Sequence, residues 1–285
     1  MFKKSIVGLF FISLCIFYSI AISQYDVPFE PSSYEIVEKM LGMANVTKND
    51  KVYDLGCGDG RIVIAAAKEH GAKGVGIDID PLRIRESKEN AMKEKVTDKV
   101  RFIEQNLFEA DIIEATVVTL FLYPSVNLKL RPKLFRELRP GTRIVSHEHN
   151  MGEWEPDRTM RVDADDWTHT IYLWVLPANL SGTWEWTVSN GRGKRLYVLN
   201  LKQKFQKVRG TLSAGVSNIP IEDISIEGNR LRFTIEEDRN ATYEFDGSAD
   251  GNSIEGKILG KTKTKSEESG WKAKRDPSTI LPLDE

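Results

Sequence analysis

Seven residues, Asp54-Leu55-Gly56-Cys57-Gly58-Asp59-Gly60, set the strongest limit on what this chain can fold into. They follow a short apolar strand pattern, Lys51–Leu55, and precede a helix pattern, Arg61–His70, that Gly71 stops. A strand that runs through glycines into a helix is the opening unit of an α/β fold, whose ligands lie outside the carboxyl ends of the strands. Glycine tolerates left-handed backbone and lets a ligand approach the chain closely. The first turn of the helix adds N–H groups without helical partners, which suit a carboxylate or a phosphate. The spacing excludes one common ligand class. A dinucleotide fingerprint, G-x-G-x-x-G, counted from Gly56 needs glycine where Arg61 stands. The motif here is acidic-x-G-x-G-x-G.

The rhythm around this loop extends the α/β reading. A helix is expected over Ser33–Ala44, with Ile36, Val37, Met40 and Leu41 on one face. Further strands are expected at Gly74–Ile77, Val100–Glu104, Ala115–Phe121 and Arg143–His147, and helices from Pro81 to about Lys95 and over Leu128–Leu138. Met160–Asp163 and His169–Val175 add two strands joined by an acidic turn. The total is a seven-stranded sheet with helices on both faces. From about residue 179 the pattern changes to short alternating stretches separated by Asn190-Gly191, Gly228-Asn229, Asp246-Gly247 and Asp250-Gly251. About eight antiparallel strands and a small all-β, barrel-like domain are expected there. The Lys-rich stretch Gly260–Arg275 reads as an exposed edge and tail, solvated rather than functional. The pair Trp184 and Trp186 reads as core. The start Gly182-Thr183-Trp184 is similar to that of lipocalin-like barrels.

The first residues read as targeting sequence. Lys3 and Lys4 precede Ile6–Ile22, an uncharged apolar run that ends near Ala21-Ile22-Ser23. A cleaved export signal and an uncleaved anchor both fit, and an anchor would place residues 5–22 in a membrane. The charge rule puts the remainder on the side away from the cytoplasm. The expected division is therefore a signal or anchor at 1–23, an α/β domain at 24–178, a β domain at 179–275 and a tail at 276–285. The chain has 285 residues with Lys+Arg 40 against Asp+Glu 42, a net charge of -2 that argues against a nucleic-acid partner. Its two cysteines, Cys15 and Cys57, exclude a disulfide scaffold.

The acidic-x-G-x-G-x-G loop resembles the first motif of class I S-adenosylmethionine-dependent methyltransferases. The resemblance implies a cofactor site built from Asp54, Gly56, Cys57, Gly58, Asp59 and Gly60. Asp78 ends the second strand, where an acidic residue takes both ribose hydroxyls, and Ile79 is placed to pack on the adenine. Asn106 and Leu107 end the third strand, with Asn106 standing where the class has an acidic residue near the adenine amino group. Further segments narrow the likeness: Pro28-Phe29-Glu30-Pro31-Ser32, Gly58–Val63, Asn106-Leu107-Phe108, Phe121-Leu122-Tyr123-Pro124-Ser125, Leu138–Ser146 and Trp154-Glu155-Pro156. In this order they resemble the mitochondrial lysine methyltransferases that modify the ATP synthase c-ring protein and the adenine nucleotide translocase, with their prokaryotic relatives. The resemblance spans Pro28 to Pro177 and adds Pro31 and Ser32 to the cofactor site. Glu30, Asn106 and Tyr123 depart from the family's pattern.

What the resemblance implies is protein-lysine N-methylation by direct in-line transfer, with a membrane protein among the substrates. Tyr123, Pro124 and Ser125, with Phe29 and more weakly Trp154, are expected at the mouth where the acceptor amine enters. Two alternatives stay open: a small-molecule N- or O-methyltransferase, and an exported binding protein that keeps the fold without turnover. No metal is expected. His147-Glu148-His149 puts two histidines on one face of a strand, but the sequence offers no evident third ligand. Glu153, Glu155, Asp157, Asp163, Asp165 and Asp166 read as solvated loops, or as an acidic rim that attracts a lysine-bearing substrate.

Overall fold

The computed structural model describes residues 29–190, 193–237 and 241–283. The expected signal or anchor at 1–23 lies outside the described residues, and among these no helix is long and apolar enough to cross a membrane.

The first half is a seven-stranded sheet. Its strands are β1 (Lys51–Leu55), β2 (Lys73–Asp78), β3 (Val100–Glu104), β4 (Val117–Leu120), β5 (Arg143–His147), β6 (Arg158–Ala164) and β7 (Trp167–Val175), in spatial order β3-β2-β1-β4-β5-β7-β6. The first five are parallel, and β7 runs antiparallel to both β5 and β6. Asp165 and Asp166 turn the β6–β7 hairpin, both with left-handed φ of 52° and 62°. Acidic residues tolerate that region better than bulky ones, and two successive left-handed residues match the twist of a hairpin.

Four helices and two irregular segments cover the sheet. α1 (Tyr34–Met43) is capped by Ser33, and α2 (Arg61–His70) starts at Gly60. α3 (Pro81–Lys93) is capped by Asp80, whose carboxylate accepts the Leu82 N–H at 2.8 Å. These three helices bury Ile36, Met40, Val63 and Ile84 with Val52, Val117 and Val145 of the sheet. On the other face α4 (Pro124–Glu137) buries Val126, Leu130 and Leu134 against Leu55 and Ile77. Its first residue is Pro124 rather than Leu128, because the ring of Pro124 is pre-set for a first helical turn and needs no partner for a missing N–H. Irregular segments complete this face with Ile112, Met151 and Trp154.

The second half is a nine-stranded antiparallel sheet. Its strands are β8 (Gly182–Asn190), β9 (Gly193–Lys204), β10 (Lys207–Ala214), β11 (Ser217–Ile219), β12 (Ile221–Glu227), β13 (Arg230–Glu237), β14 (Ala241–Asp250), β15 (Ser253–Thr262) and β16 (Ser266–Arg275). The order β11-β10-β9-β8-β16-β15-β14-β13-β12 brings its two ends together at Pro220, so the sheet is a nearly closed barrel. The inside is filled by aromatic rings. Phe233 and Phe245 are direct cross-strand partners with rings stacked 4.4 Å apart, and Trp186 and Trp271 close around them.

The reading of Gly260–Arg275 as a solvated edge and tail is overturned. β16 lies in the interior of the sheet between β15 and β8, and sends Trp271 and Ala273 into the core. Its outward residues are Lys and Glu, which pair with β15 through Lys257–Glu268 and Lys272–Glu255. Alternating charge on the outer face masked the alternation of a core strand.

The two sheets are joined by a wedge. Phe205, in the β9–β10 turn, leaves the barrel and is buried among Phe135, Trp154 and the Arg131 guanidinium. Lys204 and Lys207 flank it and pair with Glu153 and Glu155, each at 2.6 Å. Two members of the supposed acidic rim are thus spent on holding the barrel in place. A Phe205→Ala variant should lose roughly 3 kcal/mol, the cost of a large buried ring. Denaturant unfolding with limited proteolysis checks it; an unchanged midpoint and unchanged cleavage would show that the wedge does not hold the halves together.

Candidate functional site

The strand order reverses between β1 and β4, and a cavity of about 270 Å3 opens at the carboxyl ends of β1 to β4. This is the crevice where an open α/β sheet binds ligands. The glycine loop after β1 forms its floor. Gly56 N–H and Cys57 N–H both donate to the Ile77 carbonyl of β2, at 2.8 and 3.0 Å. Gly58 N–H donates to Asp78 Oδ2 at 2.8 Å, and Asp78 Oδ1 accepts the Asp80 N–H at 3.0 Å. Gly58 has φ of 51°, and a Cβ there would stand 2.4 Å from the Phe29 ring. The absence of a side chain is what lets Phe29 lie over the loop and α2 begin directly below it.

The segment Phe29–Ser32 crosses the cavity as a strap. Arg61 ties it down: its guanidinium donates to the Ser32 carbonyl at 2.7 Å and grips Asp59 through both carboxylate oxygens. Arg83 lies 4.3 Å from the Phe29 ring and pairs with Glu86, so both arginines of the cavity wall are already engaged. Ser32 Oγ is 2.8 Å from His147 Nδ1 at the end of β5.

Asp54, Asp59 and Asp78 all line this cavity. Burial pushes the Asp54 carboxyl up to about 7; the Asp78 and Asp59 charges add to this, and the Thr119 hydroxyl, donating at 2.8 Å, opposes it. Burial likewise pushes the Cys57 thiol up, so it is inert lining and not a nucleophile. A cavity with three carboxylates whose cations are already paired favours a ligand that carries positive charge. That donor set fits S-adenosylmethionine, whose sulfonium and amino groups are cationic.

Pro31, Ser32, Asp54, Gly56, Cys57, Gly58, Asp59, Asp78, Ile79, Asn106 and Leu107 are brought together in this one wall. Gly60 is not in it; it starts α2 and packs against Phe102. Asn106 is engaged locally, its Oδ1 accepting the Phe108 N–H at 3.0 Å. Tyr123, Pro124 and Ser125 do not line the cavity; they are the capping position and first two residues of α4, between two residues that do, Leu122 and Val126. Trp154 cannot meet an acceptor: it is fully buried in the core between α4 and the sheet, against Phe135 and Trp174. Arg61, Phe108 and Phe121 belong to the cavity without having been singled out. Arg61 directly follows the glycine motif, so its spacing to Asp59 was the available signal.

At the far end of the strap, His147 meets His169 of β7. His147 Nε2 and His169 Nδ1 are 3.0 Å apart, and Glu148 Oε1 is 2.9 Å from the latter. Burial lowers the His147 pKa to about 4, partly opposed by Glu148. Phe121 packs on both His147 and His149, with ring centroids 4.2 and 6.1 Å apart. Sequence spacing paired His147 with His149; the antiparallel β5–β7 pairing adds His169, which no local pattern links to them.

The Asp54 shift predicts a pH effect on stability. Its folded pKa of about 7 is raised, so the contribution is fully present below its ordinary value of about 3.9 and is lost as pH rises through about 7. In the cofactor-free protein, Asp54→Asn should therefore gain stability relative to the wild type between those values and hold a constant gain above them. The upper limit is roughly 4 kcal/mol. Denaturant midpoints for both proteins across this range check it; a pH-independent difference contradicts the buried, partly protonated Asp54.

A family model, the ANTKMT methyltransferase domain, matches residues 54–158. A protein-lysine N-methyltransferase of Saccharolobus islandicus (strain REY15A) is 48% identical over 151 residues, covering 53% of this chain and 94% of that protein. The adenine nucleotide translocase lysine N-methyltransferase of Mus musculus is 29% identical over 148 residues, covering 52% of this chain and 64% of that protein. Among solved structures, an RNA methyltransferase from Salinibacter ruber in complex with S-adenosyl-L-homocysteine has 53% identity and a TM-score of 0.49, covering 51% of this chain and 93% of that one. Nearly the whole of the Saccharolobus protein is matched, and the family model takes in the glycine loop, Asp78 and the β4 end. The chain belongs to this family of protein-lysine N-methyltransferases and is an S-adenosylmethionine-dependent methyltransferase.

Proposed function

We propose that this enzyme methylates the ε-amino group of lysine in a protein substrate, with a membrane protein as the first candidate. The observation that carries the reading is the carboxylate-rich cavity at the strand-order reversal, floored by the glycine loop and walled by the aromatic residues Phe29, Phe108 and Phe121. S-adenosylmethionine supplies a methyl group on a cationic sulfur that departs as a neutral thioether, so no acid is needed there.

The chain's own residues have three tasks. The first is to hold the cofactor. Asp78 keeps lone pairs free beyond its two backbone bonds and would take the ribose hydroxyls; Ile79 would pack on the adenine, with Asn106 and Leu107 beside it. Asp54, Gly56 and Gly58 would frame the amino-acid end, with Pro31 and Ser32 as the strap above. The second is to admit the amine neutral, although free lysine has a pKa of about 10.4. Aromatic walls at the mouth exclude water, and the positive end of α4 at Tyr123, Pro124 and Ser125 disfavours a cation there. The third is alignment, since holding an amine in line with the methyl is worth many orders of magnitude in rate. Once methylated, the cationic product is eased by the same aromatic faces. The apolar run Ile6–Ile22 supports work at a membrane, as an anchor or after export.

Two measurements test this. Purified protein incubated with radiolabelled S-adenosylmethionine and a membrane fraction should label a protein band that maps to lysine; label confined to small molecules, or no transfer at all, overturns the lysine reading. Asp78→Ala should weaken cofactor binding by roughly tenfold or more, as expected when a charge-assisted bond and the loop anchor are lost together. Unchanged affinity by calorimetry removes Asp78 from the site.

A further inference from the structure

We propose that His147, Glu148 and His169 bind one divalent transition-metal ion of the zinc class, beside the cofactor strap and separate from the methyl-transfer chemistry.

The three ligand atoms form a triangle. His147 Nε2 to His169 Nδ1 is 3.0 Å, His169 Nδ1 to Glu148 Oε1 is 2.9 Å, and His147 Nε2 to Glu148 Oε1 is 3.5 Å. A tetrahedral zinc with bonds of roughly 2.0–2.2 Å needs edges of roughly 3.3–3.6 Å between its ligands. The triangle is one face of such a tetrahedron after outward shifts of a few tenths of an ångström. Two imidazoles and a carboxylate are also a known catalytic-type zinc set, with a fourth position left to solvent. Here Glu148 and His169 are partly exposed, which leaves that position reachable, while His147 is buried beneath them.

A hydrogen-bonded network is the competing account, and it serves these atoms poorly. If His147 Nδ1–H donates to Ser32 Oγ, the His169 Nδ1 proton must serve both His147 Nε2 and Glu148 Oε1. If instead His147 Nε2–H donates to His169 Nδ1, the lone pairs of Nδ1 and Glu148 Oε1 face each other at 2.9 Å. One cation satisfies all three acceptors at once. Ser32 Oγ, 2.8 Å from His147 Nδ1, is then the outer partner that fixes the ring of a metal-bound histidine.

The backbone is shaped to this cluster. Glu148 directly follows β5 and has φ of 61°, a left-handed conformation that costs energy for a residue with a long side chain. Its N–H donates to the Thr170 carbonyl at 2.7 Å, so it remains beside β7 while its carboxylate reaches the histidines. His169 sits diagonally across the β5–β7 ladder from His147, which pairs with Ile171. A bound ion would clamp the β5 end, β7 and, through Ser32, the strap over the cofactor.

The test uses the full chain, stripped with chelator and then titrated with zinc alone. Expected is one ion per chain by calorimetry and elemental analysis, with a rise in Tm. Cobalt(II) in place of zinc should give the intense visible absorption of a four-coordinate site. His169→Ala and Glu148→Gln should each weaken zinc binding by roughly tenfold or more, while His70→Ala, at the end of α2, leaves it unchanged. Circular dichroism of the metal-free variants confirms that they fold, and the partly exposed Glu148 keeps that variant informative if His169→Ala does not. No stoichiometric binding, or binding undiminished in the folded variants, overturns the proposal. None of these readouts depends on methyl transfer, so failure here and failure of the lysine reading are distinguishable.

Discussion

The hydrogen bond from Gly58 N–H to the Asp78 carboxylate is the constraint on which the rest of the site depends. It locks the loop after β1 to the end of β2, with the Ile77 carbonyl taking two more N–H groups from the same loop. A loop held this way cannot collapse into the crevice, and it sets the first residues of α2, Arg61 and Ile62, in the cavity wall, with the Arg61 N–H capped by Asp59 Oδ1 at 3.2 Å. It also brings the Asp54, Asp59 and Asp78 charges near one another. Their mutual repulsion is part of what keeps Asp54 partly protonated, and it readies the cavity for a cation. Arg61 offsets only Asp59, and in doing so carries the strap across the opening.

The barrel is coupled to this site from behind. Phe205 completes the aromatic cluster of Trp154, Trp174 and Phe135, which supports α4 and β7. α4 in turn presents Tyr123–Ser125 beside the cavity, and β7 carries His169. The barrel interior is packed with rings rather than hollow, and its contribution seen in the structure is support of the methyltransferase sheet. Glu153 and Glu155 illustrate the consequence. As sequence they are exposed acids; in the fold they are ion-paired across the junction.

Much of the first domain was legible because its signals are local. Ser33 and Asp80 cap helices from positions two or three residues away, and the parallel strands are short stretches with a mostly buried centre. The glycine loop carries its own geometry, since three left-handed glycines within five residues leave few other conformations. The expected start of α4 at Leu128 falls four residues late, because its first turn, opened by Pro124, carries no apolar repeat of its own. β16 was missed because its charges lie on the face that points out, and only pairing with β15 and β8 reveals which residues turn inward.

The sequence by itself determined the chemistry class. Acidic-x-G-x-G-x-G, Asp78 at the end of the next strand and the segments up to Trp154-Glu155-Pro156 are all short-range patterns, and a short-range pattern is readable without a fold. Tertiary structure decided what joins residues far apart in the chain. It placed His169 against His147 and Glu148, Ser32 against His147, and Phe205 against Trp154, and it withdrew Trp154 from the acceptor path. Such contacts depend on strand register and on the docking of one sheet against another. Neither is encoded in any window of the sequence, because both are settled by burying apolar surface contributed by the whole chain.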